Sequence, residues 1–229
     1  MYQLVYPPTC LACAAFLADD DGKICGACRS QIKELSIHDE LYREKREQLL
    51  QHGHIAGLAS RFRFEKDGTL QNLIHQLKYD EMTVIGLEFG RMLAETFPAM
   101  LGECTLAGIV PVPLHPVKQR ERGYNQSLYI ARGISERTGI VVLPNLLRRT
   151  RHTRSQTKLN ADERRVNVAE AFAVNRRSRF PIGGSTLLLV DDIITTGATI
   201  VECAKALKAA GARRVFAASL AIPDTSHMP

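Results

Sequence analysis

Two adjacent carboxylates, Asp191 and Asp192, close the apolar run Leu187-Leu188-Leu189-Val190 and stand just ahead of Thr195-Thr196-Gly197-Ala198-Thr199. Carboxylates accept hydrogen bonds from a sugar diol or hold a hydrated divalent cation. Threonine hydroxyls donate to phosphate oxygens, and Gly197 lets the backbone come close to a ligand. Downstream, Ile200, Cys203, Ala204 and Leu207 fall at helical spacing, so a helix begins at this loop, and Gly211 stops it. The first amides of a helix have no intrahelical acceptor, and the positive end of the dipole lies behind them. A diol site beside a phosphate site describes a ribose 5-phosphate. The plainer reading is a buried strand and a capped helix without a ligand, which requires neither two carboxylates nor three threonines.

A second set is made of sulfur. Cys10-Leu11-Ala12-Cys13 and Cys25-Gly26-Ala27-Cys28 are two Cys-x-x-Cys hooks. Two residues between cysteines let both thiolates reach one ion, and two hooks fill a closed tetrahedral zinc site. In a reducing compartment four cysteines so paired are poor disulfide candidates. A redox pair or an iron–sulfur cluster are the other uses of this spacing. With Cys10, Cys13, Cys25 and Cys28 all engaged, a structural zinc would carry no catalysis. Cys104 and Cys203 stand alone, and Cys203 falls on the apolar face of its helix.

A third set is basic. The stretch from Pro113 to Ser127 carries His115, Lys118, Arg120 and Arg122. Guanidinium forks suit phosphate oxygens; a solvated basic turn is the bland alternative. Its prolines are expected to forbid a helix, with Gly123 supplying a turn. Residues 145–180 hold ten Arg or Lys against three acids, so the net +6 is concentrated there. That concentration suits a phosphate-rich ligand or nucleic acid, or a solvated loop.

The elements that must position these groups follow from pattern. The run 187–190 reads as a strand buried on both faces, as in a parallel sheet. Leu106 to Val112, Ile140 to Leu143, Ala171 to Val174 and Arg213 to Ile222 read as further strands. His54 to Phe64 reads as a strand or hairpin edge. Leu70, Leu73, Ile74 and Leu77 make one helical stripe ending at Lys78-Tyr79, which lies on the surface or touches a ligand. A second helix from about Val84 to Phe97 buries Ile85, Phe89, Met92 and Leu93, and a third carries Leu128, Ala131 and Ile134. Residues 29–52 read as helix and linker, and the tail from Pro223 to Pro229 as disordered.

At 229 residues, 45% hydrophobic and 24% charged, the chain can bury a real core plus a small appendage. No run of eighteen apolar residues exists and no signal peptide is evident, so the expected location is the cytoplasm. No internal repeat, Ser-His-Asp order or Walker-type lysine loop is visible.

The strand, the acid pair and the Thr-Thr-Gly-Ala-Thr loop resemble the phosphoribosyl-pyrophosphate (PRPP) motif of type I phosphoribosyltransferases. The wider set adds the cysteine hooks, Val110-Pro111-Val112-Pro113-Leu114-His115-Pro116 and Arg120-Glu121-Arg122-Gly123-Tyr124-Asn125-Gln126-Ser127. In this order they are similar to the ComF family, phosphoribosyltransferase-like proteins associated with DNA uptake in natural competence, a family that includes GntX-type proteins. Lys78-Tyr79 also fits that family's habit.

The resemblance implies an α/β, Rossmann-like type I phosphoribosyltransferase domain over 51–229 and a zinc module with linker over 1–50. It implies PRPP with Mg²⁺ at the carboxyl ends of the strands, where loops 111–126, 150–167 and 191–199 converge. Asp191 and Asp192 would grip the ribose hydroxyls, and Thr195, Thr196, Gly197, Ala198 and Thr199 the 5-phosphate. His115, Lys118, Arg120 and Arg122, with Arg154 or Lys158, would face the pyrophosphate. The basic segment would close over PRPP, with Gln156, Arg164 and Asn167 at recurring polar positions. Two functions follow: phosphoribosyl transfer to a nitrogen acceptor, or a non-catalytic PRPP-sensing module contacting single-stranded DNA or a competence helicase. A zinc-stabilised interaction protein without ligand is a third. The sequence assigns neither an acceptor nor an oligomeric state.

Overall fold

The computed structural model describes residues 8–18, 23–150 and 171–224. Four parallel strands form the central sheet in the order β1 (Gly57–Phe64), β6 (Arg214–Pro223), β5 (Thr186–Ile193) and β2 (Gly108–Pro111). The expected parallel α/β architecture is what the chain forms. β5 is flanked on both sides, so its side chains from Leu187 to Val190 are wholly buried, as a continuous apolar run requires. The register pairs Pro111 with Val190. The chain leaving β2 and the acids leaving β5 therefore emerge side by side.

Two layers cover the sheet. One holds α3 (Thr69–Tyr79), α4 (Thr83–Ala94) and α7 (Gln126–Thr138), whose buried Leu73, Ile85, Phe89, Ile130 and Ile134 share one core with Leu188 and Val190 of β5. The helical stripe from Leu70 to Leu77 is buried as expected. α4 and α7 cross closely because each offers a glycine: a Cβ at Gly90 would lie 2.2 Å from the Ile130 carbonyl, and one at Gly133 2.0 Å from the Leu87 carbonyl. The second helix from Val84 ends earlier than expected, at Ala94, and a short α5 (Phe97–Leu101) follows. Pro98 accounts for the break, because proline removes an intrahelical donor and is tolerated only in a first turn.

The other layer holds α2 (Glu40–Leu50) and α8 (Ala198–Ala209), packed with Leu187 and Leu189. The last turns of the 1–50 segment thus lie within a core of the sheet. The Tyr42 hydroxyl donates to the Leu58 carbonyl of β1. Before α2 come the cysteine hooks and the short α1 (Gly26–Arg29). Residues 33–35 then run beside β1, with Leu35 N–H on the Arg61 carbonyl and Arg63 N–H on the Lys33 carbonyl, 2.8 and 2.9 Å. That pairing occupies the outer rim of β1, which would otherwise be an open edge. β1 is a parallel strand beside β6 and not half of a hairpin.

Three expectations are corrected here. Prolines do not bar a helix after β2: α6 spans Pro116–Arg122. Pro116 sits in the first turn, where its missing N–H would have had no partner anyway, and Gly123, left-handed at φ +80°, closes the helix. The segment Ile140 to Leu143 makes a single bridge, Val142 to Ile109, instead of a strand. A strand missing from the sequence reading, β3 (Leu147–Arg149), pairs antiparallel with β4 (Phe172–Val174) outside the main sheet. The expectations for Arg154, Gln156, Lys158, Arg164 and Asn167, and those for residues 225–229, lie outside the described residues; Pro223 belongs to β6. No helix among the described residues is long and apolar enough to cross a membrane.

Candidate functional site

The loop 195–199 lies where β5 hands over to α8. Gly197 adopts φ +78°, a left-handed conformation that costs a residue with a Cβ about 1–2 kcal/mol. Asp191 and residues 193–200 line a hollow of about 30 Å³. The Thr196 hydroxyl accepts from Ala198 N–H at 3.4 Å and closes a small turn. Among the described residues the N–H groups of Thr195, Thr196 and Gly197 have no acceptor. The hollow is therefore a ring of unsatisfied donors at a helix start, the local chemistry of an oxyanion site.

The two aspartates are placed differently. Asp191 is half-buried and faces this hollow. Its Oδ1 accepts from the Ser127 hydroxyl at 3.0 Å and from Asp192 N–H at 2.9 Å. Burial, and then the neighbouring Asp192 charge, push its carboxyl up to about 8 against those donors. Asp192 is buried and forms an ion pair with Lys78 at the end of α3. Burial alone would raise its pKa, but the Lys78 charge and hydrogen bond, with a hydrogen bond from Gln126, hold it below the usual carboxylate range. One negative charge is fixed on Asp192, and Asp191 titrates near neutrality.

A set of basic groups lies near the acids, Lys78 by its ion pair with Asp192 and Arg149 by the electrostatic effect of Asp191 on it. Lys118 and Arg122 share one face of α6, four residues apart. Burial lowers the Lys118 pKa, and repulsion from Arg149, Arg122 and Lys78 lowers it further. Three cations thus lie within electrostatic reach of Lys118, with Glu121 as the nearby acid that opposes the shift. Arg122 donates to Gln126 Oε1 at 2.6 Å, and its guanidinium carbon lies 5.1 Å from the Tyr79 ring centre. Arg120, two positions round the helix from each of its neighbours, is exposed and lies off this face. His115 is the N-cap of α6; its Nδ1 accepts from Val117 N–H at 3.2 Å. Beyond α6, prolines 111, 113, 116 and 144 with Gln119, Asn145 and Arg149 border an open cavity of about 230 Å³.

The sulfur atoms of Cys10, Cys13, Cys25 and Cys28 lie within 4.8 Å of one another, and those of Cys13 and Cys25 are 3.8 Å apart. A tetrahedral zinc with Zn–S bonds of about 2.3 Å sets its sulfurs about 3.8 Å apart, so the set fits. Burial opposes a charge on Cys10, but the N–H groups of Cys25, Cys13 and Ala12 outweigh it and bring the thiol down to about 6. Burial and the adjoining thiols push Cys28 up to about 12. Cys203 is buried in the core beneath α8, as its helical position suggests.

Two residues of this site have roles that the sequence does not assign, although Ser127 ends the motif that begins at Arg120. Ser127 is a fully buried polar residue at the first turn of α7, where the Asn125 side chain caps the helix by accepting from its N–H at 3.1 Å. Lys45 of α2 reaches the Thr195 carbonyl at 2.7 Å across 150 positions. No periodicity or motif links Lys45 to the loop.

Residues 125–227 match the model of the phosphoribosyl transferase domain, and residues 1–39 that of the double zinc ribbon domain. The first match takes in both aspartates, the threonine loop and Ser127; the second takes in all four cysteines. The chain is 38% identical over 108 residues to Competence protein F of Haemophilus influenzae, covering 47% of this chain and 46% of that protein. It is 32% identical over 149 residues to DNA utilization protein YhgH of Salmonella typhi, covering 64% of each. It is 28% identical over 211 residues to Competence protein ComFC of Streptococcus pneumoniae, covering 89% and 90%. The chain thus spans about half of the Haemophilus relative and less than two thirds of the Salmonella one. The α/β domain has the phosphoribosyltransferase fold, and the clustered cysteines are those of a zinc ribbon with a structural zinc site.

Proposed function

As this chain belongs to the ComF family of phosphoribosyltransferase-fold proteins, we propose that it binds PRPP, or another ribose 5-phosphate donor, and serves DNA uptake. The observation that carries the reading is the juxtaposition at the carboxyl ends of β2 and β5. Asp191 lines a hollow of unsatisfied amides, and its neighbour Asp192 pairs with Lys78, which with Arg122 and Arg149 acts electrostatically on Lys118. A 5-phosphate suits the hollow and a diphosphate the cations, with the ribose between them.

In this reading the loop amides and threonine hydroxyls hold the 5-phosphate. Asp191, steadied by Ser127, accepts from a ribose hydroxyl. Lys118, Arg122 and Arg149 face the diphosphate, whose charge relieves their repulsion. Asp192 keeps Lys78 and Gln126 in place. For Mg²⁺ the described site offers Asp191 and the ligand's own oxygens, an ordinary donor set for that ion. When bound it neutralises diphosphate charge. Transfer would form a bond from a nitrogen nucleophile to the sugar's anomeric carbon and break the carbon–oxygen bond to diphosphate, which departs with the electron pair. Stabilising that departing charge is the electrostatic work for which the cations are placed. The open cavity beside α6 is of a size for a small planar acceptor.

Calorimetric titration with PRPP and Mg²⁺ tests the reading, with pyrophosphate release assayed across nitrogen acceptors. Binding that weakens about tenfold in Asp191→Ala supports it, since leaving a hydrogen-bonding partner unsatisfied costs about 1–3 kcal/mol. No binding by the wild-type chain overturns it.

A second reading rests on a different observation. Arg148, Arg176, Arg177 and Arg179 are exposed on and beside the β3–β4 ribbon. They suit the backbone of single-stranded DNA, with a helicase partner as the alternative. Affinity for a single strand should then fall steeply with salt and fall further when these arginines are neutralised. A flat salt dependence removes this reading.

A further inference from the structure

A buried ammonium is costly unless something uses its charge. Lys45 of α2 is 7% exposed. Its Nζ donates to the Thr195 carbonyl and to Gln48 Oε1, each at 2.7 Å. Both acceptors are neutral, and among the described residues Lys45 makes no ion pair. One turn on, Leu49 is fully buried against the loop; a Cβ at Gly197 would lie 2.5 Å from its Cδ2. α2 therefore forms the floor of the 195–199 loop and brings to it a buried ammonium whose hydrogen-bond acceptors are both neutral.

The direction of the hydrogen bond matters. In a planar trans peptide the C=O and the next N–H point opposite ways. With the Thr195 carbonyl drawn toward α2, the Thr196 N–H is aimed away from it, and that N–H has no acceptor among the described residues.

We propose that Lys45 is a positioning residue for a phosphate monoester in this loop: it fixes the 195–196 peptide so that Thr196 N–H meets the phosphate, and it sets a cation beneath. The inference rests on the reading of the loop as a 5-phosphate site. It makes a helix from the N-terminal side of the chain part of a site whose other residues come from 191–200.

Ribose 5-phosphate is the probe, titrated calorimetrically into the full-length, zinc-loaded chain. Lys45→Met is expected to weaken binding tenfold or more. Lys45→Arg, which keeps donor and charge, is expected to return affinity to within about threefold of wild type. Melting temperature and zinc content, measured on each variant, separate loss of fold from loss of positioning; a merely structural lysine would not yield binding that tracks the charged donor in proteins of equal melting temperature. If Lys45→Met does not fold, Lys45→Gln takes its place, with a fivefold loss expected. A folded neutral variant that binds within twofold of wild type overturns the inference and leaves the loop reading standing. So does a folded Lys45→Arg as weak as Lys45→Met. A wild-type chain that binds neither ribose 5-phosphate nor PRPP overturns both.

Discussion

The seat of α2 against the 195–199 loop can be tested by a double-mutant cycle on Gly197 and Leu49. Gly197 has φ +78°, and a Cβ built on it falls 2.5 Å from Leu49 Cδ2 and 3.7 Å from Leu49 Cγ. Gly197→Ala therefore meets two costs. The left-handed conformation costs alanine about 1–2 kcal/mol. The overlap costs about 1–3 kcal/mol more, because Leu49 is wholly buried and its end has little room to swing. A loss of about 2–5 kcal/mol is expected, a large part of a domain's stability. Leu49→Ala alone should cost about 2–5 kcal/mol by leaving a cavity. The two changes are not independent. In the double variant the overlap is gone, so its loss should fall short of the sum by about 1–3 kcal/mol. Urea unfolding followed by circular dichroism, at constant m-value, reads all four corners of the cycle. Additivity to within about 0.5 kcal/mol would mean that Leu49 and the loop do not touch, and the picture of α2 as the loop's floor would be wrong.

Other consequences are simpler to read. Metal analysis of the chain purified without chelator should give about one zinc per chain, as four thiol donors to one ion require, and Cys10→Ser with Cys28→Ser should abolish it; wild-type protein free of zinc contradicts the ribbon. Lys78→Met strands the buried Asp192 carboxylate and should cost about 2–4 kcal/mol, discounted for the part-exposed lysine; adding Asp192→Asn should restore at least half in urea titrations, and a double variant no better than the single one refutes the pairing. Asp191 carries its proton up to about 8 in the folded chain, against about 3.9 unfolded, so unfolding releases a proton across that window and its contribution to stability declines as pH rises. Asp191→Asn escapes that decline: its melting temperature should climb relative to wild type from pH 4 to 8 and then level off, and a constant difference counts against the shift.

The parts legible in the sequence are those whose cause is local. The strand β5, the acids, the loop and α8 follow one another in the chain, and each announces itself by its own pattern. The cysteine hooks do the same by spacing. α6 was obscured by a rule applied without position: proline breaks a helix interior, but at Pro116 it begins one. β3 was hidden because Leu147-Arg148-Arg149 carries no strand pattern; the ladder with Phe172–Val174 makes it a strand. In the other direction, Ile140 to Leu143 has the apolar composition of a strand yet finds only one bridge at the margin of β2. Lys45 and Leu49 were invisible for a different reason. α2 is rich in charge and weakly amphipathic, and the carbonyl that Lys45 meets lies 150 positions away.

The site also resolves an electrostatic difficulty. If the 195–199 loop holds a phosphate, as proposed, two carboxylates beside it should repel that ligand. The structure avoids this by dividing the acids. Asp192 is neutralised by Lys78, and Asp191 gives up its proton only near neutrality because it is buried and because Asp192 is already charged beside it. In the proposed reading an approaching phosphate would meet one partly ionised carboxyl, a row of unsatisfied amides and the Lys45 ammonium. The Asp191 carboxyl can donate to or accept from a ribose hydroxyl with little change in energy. Removing the Lys78 charge would raise the Asp192 pKa, and Asp191 would ionise more readily as its neighbour became neutral. The lysine at the end of α3 therefore governs which aspartate holds the charge, although it lines neither the loop nor its hollow.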